Sequence, residues 1–257
     1  MDLKKRLTLI TLGIILILPM ITTGCFKKGE EDPFMSMYTR KARMVGKWKY
    51  ANSETNIRTD VTNSSIGDYA HITTTTTDDA KWTQRIDYEA TDSSVIYNGT
   101  LIQNETYLQF TKHGTFTKNY VYEYVVVDYD EDAERETRHR YRKSLQASGT
   151  WNFLSGVDEF KDKERVTLAY EVVTSRDLYG IRVSNTDDDE GSQPTESIQY
   201  IRDSSWYYAN GELNEIWELQ SLKNKEIKMY RPVYNKFSST SGYTVTEQGY
   251  YKQTMTQ

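Results

Sequence analysis

The chain has 257 residues, a formal net charge of −5, 13% aromatic residues with 21 Tyr, and only 4 Pro, 14 Gly and 1 Cys. This composition excludes collagenous and flexible low-complexity chains. A single cysteine excludes an internal disulfide, and an acidic chain without a clustered basic face argues against nucleic acid as a partner.

At the N-terminus, Lys4, Lys5 and Arg6 precede an apolar run from Leu7 to Ile21, followed by Thr22-Thr23-Gly24-Cys25. A basic start, a short apolar stretch and small residues before a cut are the parts of a secretory signal. Ending at Gly24-Cys25, the segment resembles a bacterial lipoprotein signal. That resemblance implies removal of residues 1–24, acylation of the Cys25 thiol and a membrane partner reached through the lipid. Thr22 departs from the preferred Leu. The acidic Glu30-Glu31-Asp32 just beyond Cys25 resembles the signals that send lipoproteins of the Bacteroidota to the outer cell surface. A periplasm-facing anchor is the alternative, and a solvated tether is the plain reading of the same charges. Residues 25–43 are read as this tether and a short helical or irregular lead-in. Phe34, Met35 and Met37 are available to cover a barrel end, with Arg40, Lys41 and Arg43 facing water.

Residues 44–257 read as one all-β domain rich in Thr, Tyr, Val and Ile. Strands are expected at Val45–Asn52, then across a Thr-rich stretch including Thr73–Thr77, at Lys81–Ala90 and at Ser94–Gln103. Thr is β-branched and suits a strand with hydroxyls on both faces, with a low-complexity loop as the competing reading. Tyr107 to Lys118 is the clearest hairpin: Leu108 and Phe110 share a face, and Gly114 supplies the positive φ of a tight turn. The second strand of that hairpin runs on to Val127. A charged loop is expected from Asp128 to His139, and a return strand from Tyr141 to Phe153. Arg165–Thr174 alternates Val166, Leu168, Tyr170 and Val172. Leu178–Val183 pairs next, Thr186–Glu196 is an acidic loop, and Ile198–Tyr208 follows. Asn214–Leu222 and Glu226–Arg231 flank a second hairpin turn at Lys223-Asn224-Lys225, and Tyr243–Lys252 closes the chain.

Little in the sequence points to catalysis. His71, His113 and His139 lie on separate elements without metal-ligand spacing. There is no nucleophile elbow, phosphate loop or dinucleotide glycine pattern. Asp128-Tyr129-Asp130-Glu131-Asp132 has alternate acidic residues, as calcium loops do, but the sixth position is Ala133 and the twelfth His139, so an EF-hand is rejected. An irregular calcium site there, or at Asp187-Asp188-Asp189-Glu190, is the minor alternative to the expectation of no metal. The chain is read as non-enzymatic, without cofactor. Trp48, Trp82, Trp151, Trp206 and Trp217, with the many Tyr, either form core and cross-strand pairs, the favoured reading, or line a pocket in a barrel mouth, where the Tyr hydroxyls would suit an amphipathic or carbohydrate-like ligand.

Gly46-Lys47-Trp48, Leu108-Gln109-Phe110 with His113-Gly114-Thr115-Phe116, Gly149-Thr150-Trp151-Asn152-Phe153, and Trp217 through Ile227 fall in one order along residues 45 to about 230. Together these units resemble the Bacteroidota lipocalin-like lipoprotein family. The resemblance implies an antiparallel up-and-down barrel, placed here at 8–10 strands with extra hairpins and long acidic loops. Gly46, Trp48, Gly114, Gly149, Trp151 and Trp217 would be its fold-determining residues. It further implies an outer-membrane lipoprotein, exposed at the cell surface, that holds a small apolar or amphipathic ligand. The alternative is a structural or interaction protein of the surface with a filled barrel. No ligand-binding residue is nameable from sequence.

Overall fold

The computed structural model describes residues 39–63, 67–130, 135–154, 164–185, 196–209, 211–239 and 243–257. Cys25, Glu30-Glu31-Asp32, Phe34, Met35, Met37 and Asp187–Glu190 lie outside the described residues. A short helix, α1 (Arg40–Met44), leads into β1 (Gly46–Asn63), β2 (Tyr69–Asp78), β3 (Lys81–Tyr88), β4 (Ser93–Leu101), β5 (Tyr107–Phe110) and β6 (Thr115–Asp130). The chain continues through β7 (Arg135–Leu154), β8 (Arg165–Asn185), β9 (Glu196–Tyr207), β10 (Leu213–Leu222), β11 (Glu226–Ser238) and β12 (Tyr243–Thr256). The strands β10-β11-β12-β1-β2-β3-β4-β6-β7-β8 form a ring that closes where β8 pairs β10, an antiparallel 10-strand barrel within the expected range of strands.

Two courses of the ring are broken strands. β4 and β5 both run along β6, separated at 102–106, and β9 and β10 both run along β8, separated at 208–212. At one end β5 pairs β1 as well as β6, so the ring there consists of β1, β5, β6, β7, β8, β10, β11 and β12. At the other end the β2–β3 hairpin is inserted between β1 and β4, and pairing lapses at two places. β4 meets β6 only over Gly99–Leu101, and beyond Tyr230 β11 keeps β12 alone as its partner among the described strands. The far half is therefore two sheets, β11-β12-β1-β2-β3-β4 and β6-β7-β8-β9, joined through the closed end.

The closed end holds the core. Inward positions Trp48, Leu108, Phe110, Phe116, Val166, Leu168, Ile227, Met229 and Met255 are all buried, because on these strands apolar residues recur at the period of two that one barrel face demands. Trp48 is 0% exposed and its indole N–H donates to the carbonyl of Met44 at 2.9 Å. The end of the Gln257 side chain fills the space beside Gly46. At the β5–β6 turn, Gly114 adopts φ 84°, which a side chain would disfavour, and its carbonyl accepts from the Trp151 N–H at 2.7 Å. Trp151 then meets Phe110 edge to face at 5.3 Å. Gly149 is required for another reason: a Cβ there would lie 1.9 Å from the Ala169 carbonyl oxygen.

Several expectations need correction. Arg40 and Arg43 do not face water. α1 lies across the closed end, Arg43 is buried with its guanidinium donating to the Leu222 carbonyl, and Arg40 pairs with Glu164. The long side chains bury their stems and carry their charge to β10 and to a carboxylate. Asp128–Asp130 and Arg135–His139 are not a loop but the ends of β6 and β7, paired residue for residue, with 131–134 outside the described residues. Arg165–Thr174 and Leu178–Val183 are one strand, β8. β1 and β11 run well past Asn52 and Arg231, because β12 lies between them as a common template. The Thr73–Thr77 stretch is strand, within β2.

Two β-bulges reset which residues face inward. In β1 the register slips between Tyr50 and Asn52, so the inward set changes from Trp48 and Tyr50 to Ser53, Thr55, Ile57 and Thr59. In β8 the register slips at Glu171, so Leu168 and Tyr170 give way to Val173, Ser175 and Asp177. One extra residue flips every side chain beyond it to the other face.

Candidate functional site

Above the core the barrel interior is not filled. A cavity of about 720 Å³ lies between β1, β2, β11 and β12 on one side and β6, β7, β8 and β10 on the other, and it opens toward the far half. This volume falls within the range of small-molecule sites, about 300–1,000 Å³.

Its floor is a charged and aromatic cluster. Glu215 of β10 accepts from the Tyr170 hydroxyl at 2.6 Å and from the Trp217 indole N–H at 3.1 Å, and Arg231 of β11 pairs with its other oxygen at 3.2 Å. The Arg231 guanidinium also lies over Tyr251 at 4.3 Å and Trp217 at 5.3 Å, the range of cation–π attraction. Burial alone would raise the Glu215 carboxyl. Lys118 and Arg231, with the Tyr170 and Trp217 hydrogen bonds, outweigh that and hold it below the usual carboxylate range. Burial raises the Tyr170 hydroxyl well above its ordinary value, and the Glu215 charge adds to the shift, so Tyr170 stays a donor to that carboxylate.

Tyr50 stands beside this cluster and meets Tyr120 edge to face at 5.4 Å. Burial pushes the Tyr120 hydroxyl up to about 12, against a hydrogen bond with Ser53 that works the other way. Tyr50 is 4% exposed, and burial raises its hydroxyl far above the ordinary range, with Tyr120 and Glu215 adding to the effect. That hydroxyl has no hydrogen-bond partner among the described residues, nor has Nε of Arg231. A buried donor left unpaired is uncommon in folded proteins and calls for a physical explanation.

The walls differ from the floor. β1 and β2 face the cavity with Ser53, Thr55, Thr59, Thr73 and Thr75, while β6 contributes Tyr120 and Tyr122. Trp82 of β3 stacks on Tyr122 at 4.5 Å and on Tyr124 at 5.5 Å, and the ring series continues from Tyr124 to Tyr141 at 4.8 Å and to Tyr179 at 5.0 Å.

Of the residues singled out in the sequence, Trp217 and Trp82 are buried and line the cavity, whereas Trp48 and Trp151 belong to the core of the closed end. Trp206 lies on β9 and is exposed. Gly46, Gly114 and Gly149 shape the closed end away from the cavity. His71 lines the cavity, His113 sits in the exposed β5–β6 turn, and His139 pairs with Asp128 at 3.0 Å. No three His, Cys, Asp or Glu gather as a metal site among the described residues. Glu215, Arg231, Lys118 and Tyr50 escaped the sequence reading. The signal for the first three was a charged residue at an alternating position that is otherwise apolar: Glu215 before Trp217 and Leu219, Arg231 between Met229 and Val233, Lys118 between Phe116 and Tyr120.

Comparison with protein-family models, curated proteins and solved structures yields no match to this chain.

Proposed function

We propose that this chain is a lipid-anchored envelope lipoprotein of lipocalin-like kind, tethered to the outer membrane through Cys25 and exposed at the cell surface, whose barrel holds a small amphipathic ligand. The observation that carries the ligand is the cavity itself: it lies inside the barrel, opens at the far half and keeps the buried Tyr50 hydroxyl unpaired at its floor. A filled barrel acting only as a structural element would pack this volume with side chains, as the closed end does. The anchor is supported by the sequence up to Cys25 and the surface exposure by Glu30-Glu31-Asp32. The non-catalytic reading is supported by the floor carboxylate, which is already held by Tyr170, Trp217 and Arg231.

Native mass spectrometry of the full chain purified from its own cells tests the ligand. A retained small-molecule mass is expected, and it should vanish in Ile57→Trp, which fills the cavity from β1. Absence of any retained mass, together with no cavity-dependent binding of the dye 8-anilinonaphthalene-1-sulfonate, would overturn the reading. Cys25→Ala tests the anchor: the variant should leave the membrane fraction unlipidated, and one that stays membrane-bound with acyl chains attached removes that part of the proposal.

A further inference from the structure

The cavity's lining narrows the chemistry of what it holds, an inference that rests on the ligand-binding reading above. We propose that the cavity takes a short oligosaccharide rather than a lipid tail, with the sugar hydroxyls against the β1–β2 wall and the sugar C–H faces against the rings of β3 and β6.

The lining is unsuited to an acyl chain. Only Ile57, Leu145 and Val233 among the cavity residues are aliphatic. The β1–β2 wall is a ladder of directly opposed pairs, with Thr55 across from Thr75, Ile57 from Thr73 and Thr59 from His71. Thr75 accepts from Gln84 Nε2 at 3.3 Å, but the hydroxyls of Thr55, Thr59 and Thr73 make no hydrogen bond with other described residues. A hydrocarbon tail laid on this wall would strip water from those hydroxyls and return nothing, which is unfavourable for every group left unpaired. A saccharide returns a hydroxyl for each one displaced.

The opposite side supplies what a saccharide needs for its other surface. Tyr120, Tyr122 and Trp82 present apolar rings with polar tips, and the flat C–H face of a sugar ring packs on such surfaces while its rim hydroxyls stay bonded. At the floor, the Tyr50 hydroxyl and Arg231 Nε are donors without partners, so the inner end of the ligand is an acceptor: a ring or hydroxyl oxygen, or the carboxylate of a uronic acid. Lys118 and Arg231 stand against the one floor carboxylate of Glu215, a balance that accepts either a neutral or a singly acidic sugar.

The test uses the full lipidated chain, mixed in turn with a panel of short neutral and uronic-acid oligosaccharides and with oleate, and read by native mass spectrometry. An adduct counts as a cavity ligand only if Ile57→Trp removes it. The expected result is an oligosaccharide adduct that Tyr50→Phe weakens about tenfold, the scale of one lost hydrogen bond. Thr55→Val/Thr73→Val should weaken it at least as much without loss of fold. Whether the neutral or the acidic arm binds decides what meets the floor donors. A cavity-dependent oleate adduct with no oligosaccharide bound overturns the saccharide assignment while leaving the barrel as a ligand holder. No cavity-dependent adduct of any kind, from the panel, oleate or the cells, brings down both.

Discussion

The two halves of this barrel are built from the same strands but obey different rules. At the closed end every course is paired on both sides, inward residues are apolar and α1 lies across the opening. In the far half, beyond the bulges at Tyr50/Asn52 and Glu171, Ser, Thr and Tyr predominate among the inward residues, with Ile57, Val173 and Asp177 between them, and two seams open between sheets. The seams leave edge residues exposed: Ile96 and Val127 flank one, and Tyr207, 78% exposed, and Tyr234, 71% exposed, flank the other. Stability is thus concentrated where the ring is complete, and the half that gives up packing gains an interior with room for a ligand. The difference comes from burial: apolar area removed from water is the dominant favourable contribution to folding, and the far half has little of it inside.

The largest expected effect is at the closed end. Trp48→Ala removes a fully buried ring and its hydrogen bond to Met44. It should cost about 3–5 kcal/mol, a large share of a typical domain's stability. Thermal denaturation of the variant would show a melting temperature far below the parent. A temperature equal to the parent's would mean that the closed end is not the seat of stability.

Next in size is Gly149→Ala. The added Cβ would sit 1.9 Å from the Ala169 carbonyl oxygen, so β7 and β8 must part locally. Forcing extra volume into a packed region typically costs about 1–3 kcal/mol. Urea denaturation should register this as a lowered midpoint at unchanged slope. Were the midpoint unmoved, the strands would have slack here that the close approach denies.

The sequence revealed the closed half better than the far half, and the reason is physical. Leu108-Gln109-Phe110 and Val166 through Tyr170 alternate because one face is buried in hydrocarbon, and alternation is readable. Gly114 marks the β5–β6 turn, and Gly46 the place where the end of the Gln257 side chain packs against the backbone. In the far half β1 and β2 are polar on both faces over most of their length, so Thr73–Thr77 shows no preference between faces, and nothing in the pattern carries β1 past Asn52, though it runs on to Asn63. The bulges then shift the inward set from even to odd residues, which no period-two reading from one end can follow. The floor was hidden for another reason. Tyr50, Lys118, Tyr170, Glu215 and Arg231 come from five different strands, and barrel closure alone brings them together.

Glu215 lies at the boundary of the two halves, and its charge gives a test that depends on pH. Glu215→Gln keeps the shape and neutral hydrogen bonds to Tyr170 and Trp217 but removes the charge facing Arg231 and Lys118. At neutral pH this should cost about 1 kcal/mol, the gap between charged and neutral hydrogen bonds. The folded carboxyl sits below its ordinary value of 4.5, so the unfolded chain takes up the proton first. The stability its charge contributes is present above pH 4.5 and is lost as the pH falls through the lowered folded value. Melting temperatures of parent and variant should therefore differ near neutrality and converge in acid. A gap that persists unchanged well below pH 4.5 would assign the loss to altered packing and not to charge.

The smallest effect belongs to the far half, and its smallness is the point. Thr73 is partly buried on the β2 wall, opposite Ile57, and its hydroxyl bonds to no other described residue. Val has nearly the same shape and a stronger strand preference, so Thr73→Val removes the hydroxyl with little change in volume. In a packed core this swap would be costly, because the hydroxyl there would have a partner to lose. On a wall that faces an open cavity, the hydroxyl has water to lose instead, and the folded and unfolded chains solvate it alike. The change in stability should stay within about 0.5 kcal/mol, the range of substitutions away from packed features. Urea denaturation of the ligand-free protein measures it directly. A loss of several times that size would show that the β1–β2 wall is part of the core and that the barrel is one packed body, erasing the contrast between its halves.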